Sequence, residues 1–155
     1  MNLSAMLNSI QQSHHSNTIM DLVSLNDKTK ERGLALTPDD AKSLVASRNK
    51  VLRDHARIEL SNGVLKELIE VFSTSPYINQ EHYVDTLNEL QEIFYYLRNE
   101  TEDKVADAKL IQLMNDYYNR SCAGSIELLR SKMEEFTENF RRDITLPDSI
   151  FKGDE

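Results

Sequence analysis

Residues 83–97 read Tyr83-Val84-Asp85-Thr86-Leu87-Asn88-Glu89-Leu90-Gln91-Glu92-Ile93-Phe94-Tyr95-Tyr96-Leu97, and this stretch decides the fold class. Tyr83, Leu87, Leu90, Phe94 and Leu97 step by 4, 3, 4 and 3. That spacing lines five side chains along one face of an α-helix, since residues three and four apart sit one turn above each other. A strand would need alternation by two. The spacing predicts a helix over about 80–99, with Asn79 placed to cap it. A second seam follows: Ile126, Leu129, Met133, Phe136 and Phe140 step by 3, 4, 3 and 4, predicting a helix over about 125–142. Seams of five positions are too short for an extended coiled coil. They suit a bundle of helices joined by short loops.

Working outward, Thr37-Pro38-Asp39-Asp40 is a start signal. Thr37 can cap, Pro38 has no N–H to lose at the first helical position, and the two aspartates favour the positive end of the helix dipole. The helix is expected to reach about Arg57. Ala41, Val45, Arg48, Leu52 and His55 fall on its inner stripe, flanked by Leu44 and Val51. Ser61-Asn62-Gly63 breaks the chain before a shorter helix, about 63–73, with Val64, Leu65, Leu68, Ile69 and Phe72 inward. Ser75-Pro76-Tyr77 is a turn, because proline disfavours helix in the residue before it. Residues 99–103 are a polar connection. Asp107 is expected to cap a helix over about 108–119 carrying Leu110, Ile111, Leu113, Met114, Tyr117 and Tyr118, which Ser121-Cys122-Ala123-Gly124 ends. Nearer the start, Ile19, Leu22 and Val23 suggest a helix over about 18–31 stopped by Gly33.

The expected fold is all-α: a compact bundle of five or six helices, mostly antiparallel with short loops. Residues 18–143 form one helical domain. Residues 1–17 are a short amphipathic segment (Leu3, Met6, Leu7, Ile10) and a polar linker, and 144–155 a flexible acidic tail. No internal repeat is legible.

Composition agrees. Of 155 residues 39% are apolar, about 60, enough for one core without staples. A single cysteine excludes an internal disulfide framework and a Cys-based zinc site. No apolar run approaches a membrane span. The N-terminus has no basic region followed by an apolar stretch, so the expected compartment is the cytoplasm, with Cys122 reduced and buried. The net charge of −8 is uneven. Residues 1–57 carry 8 basic and 6 acidic side chains, and 58–155 carry 10 and 20. The acidic part repels nucleic acid and anionic membrane. It fits a solvated surface or a docking face for a basic partner.

Chemical motifs are sparse. The helical Glu-x-x-His quartet of two-metal bundles, the HExxH pattern, the phosphate loop and the nucleophile elbow are missing from the sequence. His55 with Glu59, and His82 with Asp85, could share helix faces, as chance pairs often do. Lys42, Arg48, Lys50, Arg53 and Arg57 precede a turn and a second helix, but that helix offers Lys66, Glu67 and Glu70, which argues against DNA reading. Arg48 is the charged residue on an inner stripe. It can snorkel to the edge, pair with a buried carboxylate or hold an anion. Ile93–Leu97 is apolar around most of its helix. Either the 108–119 helix wraps Tyr95 and Tyr96, or they face a partner or ligand.

Leu36-Thr37-Pro38, Arg57-Ile58-Glu59-Leu60, Ser75-Pro76-Tyr77, Phe94-Tyr95-Tyr96 with Asn99-Glu100, and Cys122-Ala123-Gly124-Ser125 resemble an uncharacterised family of small bacterial proteins, a domain of unknown function. The resemblance covers roughly 34–142. It implies a cytosolic helical protein and brings no assigned activity and no catalytic residues.

The expected function is therefore a non-enzymatic protein–protein interaction or regulatory protein, needing no metal or cofactor and able to form homo-oligomers. The alternative is an enzyme or small-molecule binder with a site between helices near Arg48, His55 and Tyr95/Tyr96. Tyr77 and Tyr117 complete the set of candidate ligand- or partner-binding residues.

Overall fold

The computed structural model describes residues 17–59 and 61–142, together with Leu3 and Met6. The expected N-terminal amphipathic segment, the linker and the acidic tail lie outside the described residues. The exceptions are Leu3 and Met6, helical and exposed, and Asn17, which is already helical.

The described chain is all-α. Residues 17–23 are helical (α1). There follow α2 (Asn26–Thr29) running into a 3-10 turn (Lys30–Arg32), α3 (Pro38–Asp54), α4 (Gly63–Phe72), a 3-10 turn (Gln80–His82), α5 (Tyr83–Glu100), α6 (Asp107–Asn119) and α7 (Ile126–Arg141). No helix among the described residues is long and apolar enough to cross a membrane.

Local chemistry explains most boundaries. The Thr37 hydroxyl accepts from the Asp40 N–H at 3.0 Å, and the Asp40 carboxylate accepts from the Thr37 N–H at 2.9 Å. This reciprocal box, with Pro38 first in the helix, fixes the start of α3. Asn79 and Ser125 also cap, each accepting the N–H three residues on. The 18–31 helix of the sequence reading is broken in the structure. The chain turns at Ser24-Leu25, where the Ser24 hydroxyl donates to the Asp21 carbonyl at 2.6 Å, a local bond that competes with continued helix. Gly33, at φ 78, closes the following 3-10 turn as expected. Asp107 does not cap. Ala106 stands at that position, and Asp107 is the first helical residue.

The helices form two rows. In one, α5 lies between α3 and α7; in the other, α4 packs on α6, and α5 touches both of these too. Helices within a row run parallel, because the partner number rises along each contact. Ala35 exchanges two hydrogen bonds with the Gln80 amide, Gln91 donates to the Leu44 carbonyl, and Arg57 donates to Asn99. Tyr96 meets Thr137, and Arg141 meets Glu100. In the second row, Asn62 donates to the Thr18 carbonyl, the Phe72 and Tyr118 rings meet edge-on at 5.5 Å, and Ser75 donates to Asn119. Short connections make consecutive long helices antiparallel.

These bonds within the rows join residues 41 (Tyr96–Thr137) to 47 (Leu44–Gln91) apart, the mark of a stacked helical hairpin. The second row repeats every 46 positions. Thr18-Ile19 and Leu22-Val23 in α1 correspond to Val64-Leu65 and Leu68-Ile69 in α4, and to Leu110-Ile111 and Met114-Asn115 in α6 (starting at 18, 64 and 110). Phe72 and Tyr118 obey the same displacement. Almost all of these side chains are buried. The repeat is one of pattern, not of identical residues, so reading identities alone missed it.

The five seam residues of α5 are at most 1% exposed, and Leu129, Met133 and Phe136 of α7 are buried with them. α5 has core on nearly every side, which explains why Ile93, Phe94, Tyr95 and Leu97 are all buried.

Candidate functional site at the ends of α3 and α5

α3 ends three residues earlier than the sequence reading placed it. The Ala56 N–H donates to the Arg53 carbonyl, and the Arg57 N–H reaches back to the Leu52 carbonyl at 2.7 Å. This closure requires a left-handed residue, usually glycine, and Ala56 fills it at φ 54. It throws His55 off the inner stripe, so His55 is exposed rather than packed. Residues 57–59 then leave the helix without regular secondary structure.

α5 ends in the same way. The Glu102 N–H donates to the Asn99 carbonyl, the Asp103 N–H to the Arg98 carbonyl, and Glu102 and Asp103 have φ of 54 and 60. Arg57 and Asp103 thus hold the same place in two matching closures, and they face each other. The Arg57 guanidinium donates to both Asp103 oxygens, at 3.0 and 2.9 Å, while its Nε donates to Asn99 at 2.8 Å. Such a two-pronged pair fixes orientation as well as distance. That hydrogen bond holds the Asp103 carboxyl below its ordinary pKa and raises that of Arg57.

Glu59 turns inward. The Tyr95 hydroxyl donates to it at 2.7 Å and Arg98 at 3.3 Å. Burial, then the Glu59 carboxylate, pushes the Tyr95 phenol far above the usual tyrosine range. Arg98 also lies 3.5 Å from both Asp103 and Asp107, and over the Phe94 and Tyr95 rings. Asp107, freed from capping, joins this cluster, and burial raises its pKa despite Arg98.

Between the two anchored residues stands Ile58, 88% exposed. Its neighbours are held, with the Arg57 and Glu59 side chains 28% and 16% exposed. Residues 56–59 form a promontory with Ile58 at its tip, tied down on either side through Arg57 and Glu59.

A family model described as a family of unknown function (DUF6323) matches residues 21–146. The chain belongs to this family. No curated protein and no solved structure matches it. The DUF6323 match spans the whole promontory and its supports, and reaches beyond the 34–142 of the resemblance on both sides.

The six residues singled out from sequence fall in different places. Arg48 does not snorkel. It is 4% exposed, donating to the Ser61 carbonyl and the Asn62 side chain at 3.0 Å and to the Asn49 side chain, all neutral oxygens. Asn62 passes the network to Asp21, which also accepts from Lys66. Arg48 is still close enough to Tyr95 for its charge to be felt there. Tyr95 is buried and Tyr96 half-buried, but α6 is not what their hydroxyls meet. Glu59 receives the first. Thr137 of α7 receives the second at 2.8 Å, its own proton going to the Glu134 carbonyl. Tyr117 is half-buried on α6. Tyr77 sits at the opposite end of the stack, with its ring edge-on to Tyr118 and its Cβ against Gly124. Ile58 was missed. An apolar residue between Arg57 and Glu59, just past a helix end, was its signal. Cys122 is buried, and no group of three or more potential ligands among the described residues is placed to hold a metal ion.

Proposed function

We propose that this protein is a non-enzymatic protein–protein interaction or regulatory protein that grips its partner at the 56–59 promontory. The observation that carries this reading is Ile58, 88% exposed between two anchored neighbours. A lone exposed isoleucine is ordinary. Ile58 differs because the fold keeps a left-handed alanine and a two-pronged ion pair to hold it out. Presenting an apolar tip already ordered lowers the entropy cost of association. Burying it in a partner releases about 2 kcal/mol, the scale of one aliphatic side chain. The nearby polar cluster of Arg57, Glu59, Arg98 and Asp103 would supply the polar part of that contact.

A site for a small molecule near Arg48, His55 and Tyr95/Tyr96 has less behind it. Arg48 and Tyr95 commit their polar atoms to protein partners, and His55 is exposed.

The test is Ile58→Asp in the full chain. Its urea midpoint should match the parent, since a surface change of this kind moves stability by no more than about 0.5 kcal/mol. Co-purification from the native cell should lose at least one protein that the parent retains. An unchanged set of co-purifying proteins, with the fold intact, refutes the reading.

A further inference from the structure

On another face, α5 and α7 border a cavity of about 100 Å³ lined by Ile93, Tyr96, Arg130, Met133 and Glu134. Ile93 and Met133 are buried and form an apolar floor; half-buried Tyr96 forms a wall. The volume lies between that of a water, about 30 Å³, and a benzene-sized void of about 150 Å³. It suits one branched aliphatic side chain.

The rim is acidic. Glu92 pairs with Arg130 at 3.2 Å, and Glu100 with Arg141 at 2.6 Å. Glu127, Glu134 and Glu138 follow along α7 at spacings of 7 and 4, all exposed. Along this side of α5 and α7 five carboxylates thus stand against two guanidiniums, and of these Glu134 and Arg130 line the cavity itself. An apolar hole inside negative charge is complementary to an apolar side chain inside positive charge. Nucleic acid and anionic membrane have the wrong sign. A small polyamine has the right sign but nothing to fill the hole.

We infer that the α5–α7 groove docks a basic amphipathic helix of a partner protein, which inserts one aliphatic side chain between Tyr96 and Met133. The mode is a helix laid in a groove, with apolar anchors below and lysines or arginines along the carboxylates. Charge sets approach and orientation, and the hole sets register. This surface is separate from the promontory and does not depend on it.

The probe is a fluorescent 16-residue peptide of leucine and lysine with a helical apolar stripe, titrated with the full chain and read by anisotropy. A peptide of the same composition without the stripe, and spermidine as competitor, are run beside it. Binding should weaken by about tenfold or more in Glu134→Arg/Glu138→Arg, since rim charges on two turns are reversed. It should change less than about twofold in Asp27→Arg/Glu31→Arg, exposed positions on the α2 segment away from the groove. Circular dichroism establishes that both variants fold. Ile58→Asp should bind as the parent does. Equal affinity for the unstriped peptide, displacement by spermidine at matched charge, or loss of binding in Ile58→Asp each overturns the proposal. So does sedimentation showing a dimer of the chain that Glu134→Arg/Glu138→Arg dissociates, because the groove would then belong to a second copy.

Discussion

Removing one oxygen from Tyr95 tests the promontory's support. In Tyr95→Phe the ring stays in the core and only the hydroxyl is lost. That hydroxyl donates to a carboxylate at 2.7 Å, and bonds to charged groups are worth about 1.5–3 kcal/mol. The Glu59 side chain is 16% exposed, so water replaces part of the bond, which points to the lower end, about 1.5 kcal/mol. Tyr96→Phe is the control. Its hydroxyl meets the neutral Thr137 on a half-buried residue and should cost about 0.5–1 kcal/mol. For a chain of 155 residues, 1.5 kcal/mol lowers the melting temperature by about 3–6 °C. Urea unfolding should show a shifted midpoint at constant slope. Glu59→Gln closes the double-mutant cycle, and Tyr95→Phe should cost clearly less in that background. The reasoning is refuted if Tyr95→Phe costs no more than Tyr96→Phe, or if the cycle shows no coupling with Glu59.

The left-handed positions should respond in opposite directions to a swap of glycine and alanine. Ala56→Gly relieves a φ of 54 and should stabilise by about 0.5–1 kcal/mol, whereas Gly124→Ala meets both a φ of 82 and the Tyr77 Cβ at 2.5 Å and should cost more than about 1 kcal/mol, both read from urea midpoints. Stability should also fall in alkali. Burial pushes the Tyr83 phenol up to about 12, with nearby Thr29 pulling weakly the other way, and Tyr95 and Tyr118 are raised as well. A raised phenol keeps its proton in the folded state after the unfolded chain has lost it. Its contribution is therefore complete below about pH 10 and declines as pH rises towards the folded value. Urea midpoints between pH 9 and 11 should drop, and Tyr83→Phe should flatten the drop.

Helices were legible because their signals are local. The seam of α5 and the Thr37-Pro38-Asp39-Asp40 start are each read from one unbroken stretch of chain. What failed locally failed for tertiary reasons. Asp107 reads as a cap until Arg98, on the preceding helix, takes its carboxylate. His55 continues the α3 stripe by spacing, yet the helix closes at Leu52 and Arg53 through a left-handed alanine that no propensity singles out. Arg48 reads as an inner-stripe cation whose partner stays open, because its neutral acceptors come from Ser61 and Asn62, beyond the end of its own helix.

The candidate site was illegible for a related reason, and the repeat supplies it. Arg57 and Asp103 are 46 residues apart, the displacement that carries α1 onto α4 and α4 onto α6. Stacking two like helix closures brings like positions into contact. Where those positions bear opposite charges, each unit binds the next and both loops lose their freedom. An ion pair at that separation has no signature in spacing until the stacking is known. Once it is, the pair becomes the clamp of the structure. It fixes Arg57, Tyr95 and Arg98 fix Glu59, and Ile58 is left with no direction but outward. A repeat of pattern without identity thus ties two ordinary helix ends together, and the residue between the ties is the one the fold presents.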